Sequence, residues 1–151
     1  MSQVLWELYI PSTGLHRSPW LYAIPIRSCC LWWVAAKDEG GGRSEALVFT
    51  GVESYKQTQY HAYGEEIRHL TYDSLLDLGP TPLLGEIRSL VKDKTHAAEL
   101  RHMAISFDGG PLFEFVASGF EFRSPFDVGL IESPIRERLE ACVNPLEKPA
   151  H

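Results

Sequence analysis

Residues 103–122 read MAISFDGGPLFEFVASGFEF, and this stretch limits what the chain can become. Met103, Ile105 and Phe107 alternate with Ala104, Ser106 and Asp108, which is the period of a strand with one buried face. Asp108-Gly109-Gly110-Pro111 then supplies turn chemistry, because glycine takes positive φ at no steric cost and proline cannot donate to a ladder. The return strand puts Phe113, Phe115 and Ala117 on one face. The aromatics resume at Phe120 and Phe122, one residue out of phase, and a one-residue slip turns a side chain to the opposite face. A β-bulge at Ser118-Gly119 is the expected device that brings them back to the core side. Burial of these phenylalanines, at about 2–3 kcal/mol each, makes the hairpin the expected anchor of the core.

Upstream, residues 3–10 alternate as a strand, with Val4, Trp6, Leu8 and Ile10 on one face. Residues 11–19 read as a loop and 20–27 as extended chain, with Pro25 marking an edge or a bend. Residues 30–37 and 45–50 form a hairpin across the polar, glycine-rich 38–43. Residues 54–62 alternate only loosely and suit an edge strand. Residues 65–78 carry Ile67, Leu70, Leu75 and Leu78 as a helical stripe that Gly79-Pro80 ends. Thr81 then caps a second helix with Pro82 in its first turn, and Leu83, Ile87, Leu90 and Val91 form its stripe to about Lys94. Ser133-Pro134 repeats that signal ahead of a short C-terminal helix. The expected fold is α+β: a mostly antiparallel sheet of about six strands, two adjacent helices on one face and the short C-terminal helix. Residues 1–143 are expected to make one domain and 144–151 a loose tail.

Charge and composition narrow the function classes. The chain has 151 residues, 14 basic and 20 acidic, for a net charge of −6. No Lys/Arg cluster supports phosphate contacts, so nucleic acid is not an expected partner. No apolar run is long enough to span a bilayer, and the N-terminus lacks a secretory pattern, so the expected compartment is the cytoplasm and no membrane association is expected. Cys29, Cys30 and Cys142 form no CxxC pair and read as reduced thiols. Phosphate-loop, dinucleotide, GxSxG and HExxH patterns are missing, and no cofactor or resident metal is expected.

Trp32 and Trp33 are neighbours in one strand and point to opposite faces. With helices on one face of the sheet, one of the two rings is free to join Tyr55 or Tyr60 in an aromatic patch that docks a partner. Loops or the terminal segments covering that ring are the alternative. His61, Glu66 and His69 gather near a strand-to-helix junction, and Glu66-x-x-His69 supplies metal-ligand types at helical spacing. A solvated helix face with ordinary charge pairs explains the same spacing. Asp108 and Glu114 flank the hairpin turn, with His102 at the far end of the strand. They offer acid–base chemistry, or else Asp108 simply braces an Asx-type turn.

Phe49-Thr50-Gly51-Val52-Glu53, the Tyr72-Asp73 to Asp77-Leu78-Gly79 stretch, and Ile105-Ser106-Phe107-Asp108-Gly109-Gly110-Pro111 through Glu114-Phe115 together resemble a pattern in a group of small uncharacterised bacterial proteins. That resemblance covers residues 47–122 and implies no activity. By size, charge and fold class the chain is also similar to immunity proteins of toxin systems. The leading expectation is a non-enzymatic protein-binding module, of which an immunity-type inhibitor of a toxin is one form, with a basic partner and Trp32, Trp33, Tyr55 and Tyr60 at its surface. The alternatives are a small hydrolase or metal-dependent enzyme using His61, Glu66, His69 or Asp108, and a structural subunit of a homo-oligomer.

Overall fold

A computed structural model describes residues 2–10, 15–24, 27–36, 42–59, 71–108 and 110–126. Among them the strands are β1 (Gln3–Glu7), β2 (Leu15–Ile24), β3 (Ser28–Ala36), β4 (Gly42–Thr50), β5 (Ser54–Thr58), β6 (Ser74–Asp77), β7 (Arg101–Ser106), β8 (Leu112–Ala117) and β9 (Gly119–Arg123). Two helices, α1 (Pro82–Leu90) and α2 (Lys94–Glu99), lie between β6 and β7. The strands form two sheets, in the orders β1-β6-β7-β8-β5 and β2-β3-β4-β9, with antiparallel pairing throughout. The mostly antiparallel pairing is therefore present, and two adjacent helices lie on one sheet face, but they are α1 and α2 and not the expected pair over 65–78 and 82–94. The single sheet of about six strands is replaced by two sheets packed face to face.

Alternation along each strand builds the layer between the sheets. Cys29, Leu31 and Trp33 of β3 and Leu47 and Phe49 of β4 point inward to meet Leu75, Met103, Ile105, Phe113 and Phe115. Phe49 stacks on Phe115 with ring centroids 3.8 Å apart. The β7–β8 hairpin supplies the largest share of this layer, as its pattern predicts. Its turn is closed by the Gly110 N–H donating to Phe107 O at 2.9 Å.

The phase change after Ala117 has a cause other than a bulge. β8 pairs with β5 and β7, whereas β9 pairs with β4, so the chain passes from one sheet to the other at Ser118. The two inner faces look toward each other, and one extra residue at the crossing keeps Phe120 and Phe122 turned inward. Ser118 makes the crossing by donating its backbone N–H (3.1 Å) and its hydroxyl (3.2 Å) to Thr50 O. The β4–β5 link crosses in the reverse direction beside it. There Gly51 sits at φ +60, and a Cβ on it would lie 2.1 Å from Ser118 Oγ, so the two crossings pack too closely for any side chain.

The helix expected over 65–78 is overturned at its C-terminal end, where Ser74–Asp77 is β6. Leu75 enters the layer between the sheets and Leu76 pairs with Ala104 on the other face. A short strand buried on both faces reads as an apolar run, which period alone does not separate from a helix. Residues 65–70, the expected helix near 133–143 and the tail at 144–151 lie outside the described residues. The Thr81 cap is present, its hydroxyl oxygen accepting from Leu84 N at 3.2 Å. The helix it opens stops at Leu90. Asp93 then caps α2, its carboxylate accepting from Thr95 N and His96 N. Leu84, with Ile87 and Val91 beside it, packs on Leu100 and Val116, so the helix pair covers part of the outer face of the five-stranded sheet. Residues 15–19, read as loop, belong to β2, which is bulged twice in that half.

Candidate functional site

The outer face of the four-stranded sheet carries a cluster of aromatic side chains. Trp20 pairs with Trp32 and Tyr22 with Cys30, so alternation places all four on the side away from the sandwich interior. The Trp20, Tyr22 and Trp32 rings form a triangle with centroids 6.3–6.5 Å apart. Trp20 is 41% exposed, whereas Tyr22 packs against Cys30, Ala46, Val48 and Phe126. Phe126 N–H donates to Ser44 O at 2.6 Å, which draws the chain after β9 back across this face. The Trp32 indole N–H is buried with no hydrogen-bond partner among the described residues. Among the described residues β2 is an edge strand, and its Trp20–Ile24 half pairs in regular register. On the β9 side of the same face, Glu121 and Arg123 form an ion pair at 3.1 Å.

The expected partner-binding residues do not form one patch. Trp32 faces outward. Trp33 is wholly buried, with its ring among Trp6, Phe107 and Phe122, and is withdrawn from any surface. The reason is the alternation itself, which sends only one of two adjacent rings out of the sandwich. Tyr55 is half exposed on β5, paired with Phe115 of the same five-stranded sheet, and does not join Trp32 in the four-stranded one. Tyr60, His61, Glu66 and His69 lie outside the described residues. Asp108 is an exposed turn residue. The members absent from the sequence expectation are Trp20 and Tyr22. Both lie in the stretch read as extended chain, and the signal for them is its pairing with β3, which local pattern does not reveal.

Glu114 is organised with His102 and not with Asp108. His102 Nε2 lies 3.1 Å from Glu114 Oε1, and His102 Nδ1 lies 2.7 Å from Thr81 Oγ1. A carboxylate only accepts, so Nε2 carries the proton, and in the neutral ring Nδ1 accepts from the Thr81 hydroxyl. The hydrogen bond from His102 holds the Glu114 carboxyl below its ordinary range; burial opposes this, and the charges of His102 and Lys56 assist it. Hydroxyl, imidazole and carboxylate stand in the order of a nucleophilic relay. The Thr81 oxygen, however, is the cap of α1, and neither cleft beside the helices is lined by Thr81, His102 or Glu114. The chain of bonds ties the start of α1 to the sheet beneath it.

A second buried carboxylate was hidden in the sequence. Glu45 is 0% exposed on β4. It accepts from Trp33 Nε1 at 3.1 Å, Tyr9 OH at 2.9 and 3.0 Å, and Ser124 Oγ at 2.6 Å. Three neutral donors from three segments satisfy it and lock one end of the sandwich. Tyr9 is held above its ordinary pKa, first by burial and then by Glu45. Burial pushes the Cys29 and Cys30 thiols up to about 11 and about 12, so both are inert hydrophobes and not nucleophiles.

These features define a two-sheet antiparallel sandwich with a helix pair on one outer face and aromatic rings on the other. Comparison with family models, with curated proteins and with solved structures finds no match. No group of three or more metal-ligating side chains occurs among the described residues, and no helix among them is long and apolar enough to cross a membrane.

Proposed function

We propose that this chain is a protein-binding module whose contact face is the outer surface of the four-stranded sheet around Trp20, Tyr22 and Trp32. One observation carries the reading: two tryptophans and a tyrosine converge beside an edge strand, with Trp20 partly open to solvent. Trp and Tyr dominate binding hot spots because a large, stiff ring buries much area at small entropic loss. The partner is a basic protein, in keeping with the net charge of −6. Inhibition of a toxin, as by an immunity protein, is one form this function takes.

The test is affinity capture from the native cell with wild-type and Trp20→Ala protein, followed by titration of the purified partner at rising salt. Loss of the Trp20 ring is expected to weaken binding by about 2 kcal/mol, and salt to weaken it further. Equal affinity for the two proteins, or no partner retained at any salt, refutes the proposal.

A further inference from the structure

A separate cleft lies between the helix pair and the sheet crossing. Arg27 from the β2–β3 turn, Glu53 from the β4–β5 crossing and His96 from α2 meet on one side of it. Ile87, Leu90 and Val91 at the end of α1 make an aliphatic wall, and Lys92 and Asp93 complete the rim. The volume is about 460 Å³, within the range of small-molecule sites.

From this cleft we infer a binding site for a small monocarboxylate carrying a branched or short aliphatic body. The argument rests on which hydrogen-bonding groups are already used. Glu53 Oε1 is held by Arg27 and by His96 Nε2, the latter at 2.8 Å. Asp93 Oδ1 accepts from Thr95 N at 3.0 Å and His96 N at 3.2 Å. One oxygen of each acid is thus engaged within the protein. The cations keep donors to spare: Arg27 meets both Glu53 and His96 through Nη2 alone, its side chain is 50% exposed, and Lys92 makes no ion pair among the described residues. Unused donors of positive charge call for an anion. Glu53 stands close enough to penalise a dianion such as phosphate more than a monoanion, and a planar carboxylate matches the guanidinium fork. Leu90, 73% exposed beside this charge, supplies the surface for an aliphatic body.

The cluster is held in place before any ligand arrives. Arg27 sits at φ 57, uncommon for a residue with a side chain, and its carbonyl accepts from Val52 N at 2.9 Å. A Cβ on Gly51 would lie 3.0 Å from His96 Cε1, so the imidazole rests directly on the crossing backbone. Backbone outliers of this kind gather at ligand sites.

The carboxylate comes either from a free small acid or from the C-terminus of a chain ending in Leu, Ile or Val. The test is amide NMR titration of the full chain with N-acetyl-leucine, N-acetyl-leucinamide, and a short peptide ending in leucine with its terminus free or amidated. Saturable shifts in residues around Arg27, Glu53 and Leu90 are expected for the acids. The amides and the Arg27→Asn protein are expected to bind at least tenfold more weakly; asparagine tolerates the positive φ and lacks the charge. Leu90→Gln, at an exposed position, removes the wall and reports independently should Arg27→Asn fail to fold. Tighter binding of the free-ended peptide than of N-acetyl-leucine assigns a chain terminus, and the reverse order assigns a free acid. Absence of saturation, equal binding of acid and amide, or unchanged affinity in both variants overturns the inference. The aromatic face plays no part in any of these outcomes.

Discussion

The two outer faces of the sandwich have the same strand chemistry beneath them and opposite finishes above. Over the five-stranded sheet, α1 and α2 lay Leu84, Ile87 and Val91 onto Val116 and Leu100, and Thr81, His102 and Glu114 are bonded in a chain that leaves Glu114 Oε2 buried without a partner among the described residues. Over the four-stranded sheet, Phe126 closes part of the face, while Trp20 stays partly open and the Trp32 N–H lacks a partner. The difference between the faces is cover: a helix pair roofs one, and the other leaves a large ring open to solvent, which suits a second molecule.

Breaking the layer common to both faces gives the largest expected effect. Phe115→Ala removes the ring stacked on Phe49 and should destabilise the fold by about 3–5 kcal/mol. Denaturant unfolding followed by tryptophan fluorescence and by far-UV circular dichroism should give coincident transitions, because one core serves both sheets. Separate transitions would mean that the faces belong to independently folding units. Glu45→Ala should lose about 3 kcal/mol in the same assay, by stranding the buried Trp33 N–H and by losing the bonds from Tyr9 and Ser124 that tie three segments together.

The covered face comes next in size. His102→Ala leaves the Glu114 carboxylate without its donor and should destabilise by about 2 kcal/mol. Because the folded pKa of Glu114 lies below the ordinary 4.5, its contribution is present above that value and is lost as pH falls through the folded pKa. Denaturation midpoints between neutral and acid pH should therefore fall less steeply for Glu114→Gln than for wild type. Thr81→Ala should lose about 1 kcal/mol, the ordinary worth of an N-cap. The smallest stability change belongs to the open face: Trp20→Ala should move the midpoint by less than about 1 kcal/mol. A loss as large as that of His102→Ala would make Trp20 a structural residue and dissolve the contrast.

Much of the sandwich was legible wherever period-two patterning ran unbroken. The β7–β8 hairpin, the β3–β4 hairpin, the edge position of β5 and the Thr81-Pro82 helix start all follow from alternation and cap chemistry. What was illegible depends on partners distant in sequence. Ser118 shifts the phase because β9 joins a different sheet, and nothing local distinguishes that from a bulge. Ser74–Asp77 is buried on both faces, which removes the alternation that would have marked it as a strand. Glu45 looks like an ordinary solvent-facing acid until Tyr9 and Ser124 reach it from the two ends of the described chain. Adjacent Trp32 and Trp33 revealed that their rings diverge but not which one stays out; only the register with β2, which brings Trp20 alongside, decides that.

The most direct test of the contrast between the faces is fluorine NMR of protein labelled with 5-fluorotryptophan, with the Trp6, Trp20, Trp32 and Trp33 signals assigned by single substitutions, before and after addition of the captured partner. The account predicts a solvent isotope shift largest at Trp20, and partner-induced changes at Trp20 and Trp32 with Trp6 and Trp33 unmoved. A partner that leaves Trp20 and Trp32 unchanged contradicts it.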